Sequence, residues 1–267
     1  TLRYLNVSKT SVSDFGPFAD RIADGWPVRW ERWRRDDGLI VEDCPLVRPT
    51  VEIARQGAKA VRNYFRELAA QGEDYLYEAK VLILGEGGAG KTSLLRRLYQ
   101  PDRELPKEDE TTRGIDIHRH DFVGNHGHPF RLNVWDFGGQ QIYHATHQFF
   151  LTKNSLYLLV DDTRKDDKTI HDEGFKFWLE VVETLSEGSP LLIFQNEKGD
   201  RSKIIDQAGI QGRFTNVKAV ARGNLERPDS IESLQQAIEC FVQQLPHIGE
   251  PVPKKWLAIR EELEQLA

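Results

Sequence analysis

The sequence contains no methionine and only two cysteines, Cys44 and Cys240, in 267 residues. Two thiols so far apart exclude a disulfide-stapled scaffold and fit a reducing, cytoplasmic setting. No apolar run approaches the roughly 20 residues that a membrane-spanning helix requires, in keeping with a mean hydropathy of -0.54. An excess of positive charge is missing too: 36 Lys and Arg stand against 42 Asp and Glu, a net charge of -6, so no overall basic field exists to hold a nucleic-acid backbone. The opening residues lack the pattern of a secretory leader. Hydrophobic residues at 39% and charged residues at 29% fit a folded chain that is neither membrane-embedded nor wholly disordered. The missing methionine and a structured pattern beginning at Thr1 lead us to expect a piece cut from a longer chain at both ends.

What is present divides into four parts. Leu2, Leu5, Val7 and Thr10 fit the LxxLxLxxN strand of a leucine-rich repeat, with Thr10 where Asn is usual. Residues 26–30 and 38–41 alternate as degenerate repeat strands would, so 1–48 reads as the C-terminal end of a repeat array and its cap. A helix over 26–33 is the competing reading, because Trp26, Trp30 and Trp33 fall at i, i+4 and i+7 among arginines. Glu31, Asp36 and Asp37 beside them argue for a packing surface over a nucleic-acid one. Residues 49–78 hold a connecting helix, with Val51, Ala54, Ala58, Val61, Phe65 and Leu68 near helical spacing after Pro49 and Thr50.

Residues 79–246 then alternate strand and helix signals. Strands are expected at 79–84, 115–121, 130–135, 155–161, 191–195 and 216–220, and helices at 91–99, 141–149, 171–186, 203–208 and 230–244. The short turn-rich loop 123–128 joins strands two and three as a hairpin, giving one antiparallel pair in an otherwise parallel, doubly wound α/β sheet. Residues 247–267 read as a Gly and Pro-containing linker to Pro253, followed by a helix from Lys254.

The chemistry concentrates after the first of these strands. Gly85, Glu86, Gly87, Gly88, Ala89, Gly90, Lys91 and Thr92 spell GxxxxGK(S/T), with Ser93 next, between an apolar strand and a helical run. Such a loop wraps its backbone N–H groups around phosphate oxygens at a helix N-terminus. Lys91 is expected to reach the β and γ phosphates, and Thr92 to offer its hydroxyl to Mg²⁺. Asp136, Gly139 and Gln140 form DxxGQ at the end of the third strand: a carboxylate for the metal, an N–H for γ phosphate and an amide to orient the attacking water. Thr112, two residues before Gly114, fits a switch threonine that binds both metal and γ phosphate, with Thr111 as the runner-up.

These residues resemble the Ras-like GTPases and, within them, the Roc domain of bacterial Roco proteins. Residues 85–92, 111–115 and 135–150 look like that family's phosphate loop and two switches. Residues 43–68 are similar to its repeat-to-Roc connection, and 253 onward to the first helix of COR. The resemblance implies a Ras-like P-loop sheet of six strands with helices on both faces, and slow, magnesium-dependent GTP hydrolysis. It further implies a cytoplasmic switch whose GTP or GDP state sets the arrangement of repeats, Roc and COR, with homodimerisation through COR and Roc and protein partners on the repeats. The base-reading segment departs from the usual Asn-Lys-x-Asp: here Asn196, Lys198 and Asp200 must do that work with one extra residue between them. A carboxylate at Asp200 would accept from guanine's N1 and N2 protons and reject adenine. The departure leaves an adenine-specific ATPase as one alternative; a nucleotide-dependent scaffold with negligible hydrolysis is the other.

Two further features carry less. Six histidines (118, 120, 126, 128, 144 and 147) crowd thirty residues, but they fall on separate elements without the closed spacing of a zinc site. Arg164 could reach a nucleotide across a dimer, or simply pair with a neighbouring aspartate. The base-backing loop, expected near Ala219 to Arg222, lacks Ser-Ala-Lys.

Overall fold

The computed structural model describes residues 2–30, 37–107, 112, 114–125, 127–138, 151–162, 173–197, 205–227 and 231–266. The chain divides into two compact units, Tyr77–Leu245 and Thr1–Leu76 with Pro246–Ala267.

The smaller unit begins with three short strands, β1 (Tyr4–Asn6), β2 (Val28–Arg29) and β3 (Gly38–Ile40), which form a parallel sheet in the order β1-β3-β2. Repeats stacked in chain order would place β2 in the middle. Here β3 enters between the other two, and Gly38 makes this possible: its φ is +140°, and a Cβ there would lie 2.6 Å from the Pro27 carbonyl oxygen. Within 26–33, Val28–Arg29 is strand and not helix; Trp33 lies outside the described residues. Trp26 and Trp30 lie under the guanidinium groups of Arg21 and Arg55, at 4.4 and 5.0 Å from the ring centres.

Three helices follow the sheet or separate its strands: α1 (Ala19–Ala23), α2 (Val51–Arg55) and α3 (Ala58–Gln71). The single connecting helix expected from residue 49 is broken in two, because Gly57 takes a φ of +91°. Phe15, Ile22, Val28, Leu39, Val61 and Phe65 pack the core of this unit. Cys44 is a buried thiol donating to the Val7 carbonyl at 2.9 Å, and Cys240 is an exposed free thiol.

The segment read as a linker contains β11 (Glu250–Pro253), antiparallel to β4 (Glu73–Leu76), with α8 (Lys254–Leu266) directly after it. The Tyr64 hydroxyl, on α3, donates to the Pro251 carbonyl at 2.9 Å and holds β11 from one side.

The larger unit is a six-stranded sheet in the order β10-β9-β8-β5-β7-β6. Its elements are β5 (Glu78–Leu84), α4 (Lys91–Tyr99), β6 (Ile115–Val123), β7 (Pro129–Phe137), β8 (Leu156–Asp162), α5 (Glu173–Leu185), β9 (Leu191–Asn196), α6 (Gln207–Arg213), β10 (Val217–Gly223) and α7 (Glu232–Val242). Only β6 runs antiparallel, paired with β7 through the expected hairpin. Every residue of β8 and β9 is buried, the pattern of parallel strands covered on both faces. Leu82, Leu84, Leu159 and Ile193 meet Trp178, Leu179 and Val182 of α5 and Phe214 beyond α6 on one face. On the other, α4 and α7 bury Leu94, Leu95, Leu98, Leu234 and Ile238. β6, at the edge, has no fully buried residue and alternates between exposed and half-buried from Ile117 onward.

The sixth strand extends through Gly223, so Ala219 to Arg222 belong to β10, and any base-backing loop begins after them. α6 starts later than expected because Asp206 caps it, accepting from the Gly209 N–H at 3.0 Å. The expected helix at 141–149 lies outside the described residues. No helix among the described residues is long and apolar enough to cross a membrane.

Candidate functional site

The site grows from the carboxyl ends of β5 and β7, beside the first turn of α4. β5 ends at Gly85, whose φ of +139° turns the chain sharply; a Cβ there would sit 2.4 Å from the Val160 carbonyl oxygen on the neighbouring strand. Glu86 to Ala89 form the loop, and Gly90, in the left-handed region at φ +99°, starts the helix. Lys91 is nearly inaccessible to solvent, at 5% exposure. Its ammonium donates to the Gly85 carbonyl at 3.0 Å and the Glu86 carbonyl at 2.8 Å. Burial pulls its pKa down to about 8, while Asp136 and Glu86 push the other way.

Thr92 follows on the same turn, with Ser93 half-buried behind it. The Thr92 hydroxyl donates to Asp136 Oδ2 at 2.6 Å and lies 2.8 Å from the Thr112 hydroxyl, which itself donates to Asp136 Oδ2 at 3.2 Å. Asp136 is fully buried, and its second oxygen, Oδ1, has no hydrogen-bond partner among the described residues. Burial raises the proton affinity of this carboxyl; Thr92, Lys91 and Thr112 oppose that, and the charge of Asp116 adds to it. Gly138 draws the two segments together, since its N–H donates to the Gly114 carbonyl at 2.9 Å and a Cβ on it would lie 2.3 Å from the Thr112 carbonyl oxygen.

Asn196, at the end of β9, is buried and donates from Nδ2 to the Ala89 carbonyl at 2.9 Å. This bond ties the start of the base-reading segment to the phosphate loop. A Cβ on Gly90 would meet that amide nitrogen at 2.4 Å, so only glycine leaves room for the contact.

The structure thus brings together Lys91, Thr92, Thr112 and Asp136, with Asn196 against the same loop. Thr111, Gly139, Gln140, Arg164, Lys198 and Asp200 lie outside the described residues. The described histidines do not converge: His118 Nδ1 bonds to Gln100, His120 lies between Tyr99 and Phe122, and His128 stacks on Tyr77. Among the described residues, no three histidine, cysteine or carboxylate side chains are grouped as a metal site would need. The sequence motifs do not single out Asp162 and Gln195, which are buried at the same end of the sheet with Asp161. The signal that could find the two aspartates is a pair of carboxylates closing an otherwise apolar strand, Leu156–Asp162.

Two hydroxyls converging on a buried carboxylate suit a small hard cation, and a glycine loop closed by a buried lysine suits phosphate. Residues 80–199 match the family model described as Ras of Complex, Roc, domain of DAPkinase. The chain is similar to a Roc-COR-CHAT protease of an unknown prokaryotic organism, at 31% identity over 86% of this chain and 23% of the relative. It is similar also to a Roc-COR-CHAT protease of Runella zeae, at 30% identity over 72% of this chain and 22% of that protein. A structure of Methanosarcina barkeri Roco2 RocCORdC bound to GDP matches with a TM-score of 0.64 and 34% identity, covering 72% of this chain and 57% of the other. The chain therefore spans about a quarter or less of those protease relatives' length and just over half of that solved chain.

Proposed function

The chain carries a Roc domain, and from that premise we propose that it binds GTP and GDP, hydrolyses GTP slowly with magnesium, and acts as a molecular switch. The observation that carries this reading is the meeting of Lys91, Thr92, Thr112 and Asp136 at one end of the sheet. Lys91 neutralises phosphate charge from a buried position where electrostatic attraction is little screened. Thr92, Thr112 and the open Oδ1 of Asp136 would hold Mg²⁺, which, when bound, supplies charge neutralisation between the terminal phosphates. Thr112 serves twice, since its hydroxyl joins the metal oxygens and its N–H is the group we assign to γ phosphate. Through Gly138, any movement of the Thr112 segment is felt by the start of the second switch.

Gly139 then offers an N–H to γ phosphate, and Gln140 orients the water that attacks it. Asn196, Lys198 and Asp200 read the base, with Asp200 selecting guanine. In the fuller protein, cytoplasmic in our reading, the switch sets the arrangement of the flanking repeats and COR. A homodimer forms through COR and Roc, and protein partners bind the repeats.

The experiment that tests this is a titration of the purified chain with fluorescent GDP and ADP, followed by single-turnover phosphate release. We expect GDP to bind much more tightly than ADP and Gln140→Leu to slow release. Tighter binding of ADP would overturn the guanine reading. Release that is absent, or equal in both proteins, would favour the scaffold or remove Gln140 from the role of orienting water.

A further inference from the structure

We propose that Asp116 is a positioning residue for the divalent cation: standing across the β6–β7 ladder from Asp136, it strengthens magnesium binding through its field without touching the ion. The proposal rests on the reading of the Thr92, Thr112 and Asp136 site given above.

Asp116 and Asp136 are direct partners in the antiparallel register. Residues directly opposite on such a pair project from the same face, with their Cβ atoms about 5 Å apart. That face is the one on which Asp136 meets Thr92 of α4. Asp116 is exposed, and its side chain forms no hydrogen bond or ion pair with any described residue. The register nonetheless sets its charge beside that of Asp136.

Like charges directly opposite each other destabilise a ladder, and the described basic side chains nearby are engaged elsewhere. Arg119 and Arg131 both turn to Asp121, on the opposite face of β6. Lys91 is held between the Gly85 and Glu86 carbonyls within the phosphate loop. The remaining carboxylate oxygen of Asp136 is buried and open. Two negative charges with no described cation bonded to either, one on an open buried oxygen and one in water beside it, form a field that a divalent cation relieves more than a monovalent one does. Asp116 therefore tunes how much free magnesium is needed to close the site, while the coordinating oxygens stay those of the threonines and Asp136.

The test is the magnesium dependence of fluorescent GDP release from the chain, measured with Asp116→Asn, Asp116→Glu and Asp121→Asn variants. One charge several ångströms away through water, partly screened by salt, predicts a half-saturating magnesium concentration about fivefold higher in Asp116→Asn. Release in EDTA should stay unchanged, and the metal-free melting temperature should rise as the repulsion disappears. Asp116→Glu should restore the wild-type dependence. Asp121→Asn, which removes an equal charge from the other face, should leave it alone. An unshifted midpoint in Asp116→Asn, or an equal shift in Asp121→Asn, overturns the proposal. A wild-type protein whose GDP release ignores magnesium overturns instead the site reading on which it rests.

Discussion

In the unit formed by residues 1–76 and 246–267, no charged or amide side chain is buried among the described residues, whereas in Tyr77–Leu245 Lys91, Asp136, Asp161, Asp162, Gln195, Asn196 and Asn216 all are. Most of these lie at the carboxyl ends of β5, β7, β8 and β9, at or just past strand termini. A buried polar group left without a partner costs about 1–3 kcal/mol. The smaller unit closes its core with apolar side chains and lays arginines over Trp26 and Trp30. In the larger unit Asp136 Oδ1 and the Gln195 amide are buried at the carboxyl pole of the sheet with no hydrogen-bond partner among the described residues. The contrast teaches that buried charged and amide groups gather where we propose the ligand site, at one end of a sheet whose remaining interior is apolar.

The strongest way to break the contrast is Lys91→Ala. If the buried polar groups exist for nucleotide, removing this ammonium should weaken GDP binding by about 100-fold, the size expected for a charge-assisted hydrogen bond in a site shielded from water. Calorimetric titration measures it, and a loss under about threefold, well short of such a bond, would mean that the burial serves folding alone.

A second comparison sets Leu159→Ala against Phe65→Ala, one in each core. Each should cost roughly 3–5 kcal/mol. Saturating GDP should recover stability only in the transition that Leu159→Ala weakens, by about 2.7 kcal/mol at a hundredfold excess over Kd. Differential scanning calorimetry of the two variants would show it. Recovery of both to the same degree would mean that the two units unfold as one.

The smallest effect concerns Glu250 on β11, whose carboxyl is pushed up to about 7 by burial and by the nearby charge of Glu52. The folded state therefore holds this proton more firmly than the unfolded chain, with its ordinary value of 4.5, does. The resulting stabilisation is present below pH 4.5 and is lost as the pH rises toward 7. Urea unfolding at about pH 5 and about pH 7.5, which bracket the folded value, should show Glu250→Gln reducing that loss. An unchanged slope would mean that Glu250 is solvated in both states.

The larger unit was the more legible of the two for physical reasons. A phosphate loop is a local device: strand, glycines, lysine and helix are contiguous, and α4 begins and ends where its pattern predicts, at Lys91–Tyr99. The buried parallel strands announce themselves as apolar runs, and their observed limits differ from the expected ones by at most three residues. Thr112 is preferred to Thr111 for standing two residues before Gly114; Thr112 meets Thr92, and Thr111 lies outside the described residues. The β4 and β11 pair was illegible because its partners are separated by the whole larger unit. Neither Glu73–Leu76 nor Glu250–Pro253 alternates apolar and polar residues, and two prolines lie in the second. The order β1-β3-β2 escaped because a close backbone approach at Gly38 leaves no mark in hydropathy.

That β4 and β11 pairing has a consequence for how such a protein can be rearranged. Leu76 and Glu250 are partners in the register, and the Gly249 N–H donates to the Leu76 carbonyl at 2.8 Å. The chain leaves and rejoins the smaller unit at neighbouring points, so Tyr77–Leu245 is an insertion with its two ends side by side. A segment of this kind can be exchanged for a homologous one, or removed and bridged by a short turn, without parting the strands that flank it. On the reading proposed above, the nucleotide-binding segment is thus a cassette whose flanking strands are held together by their own ladder.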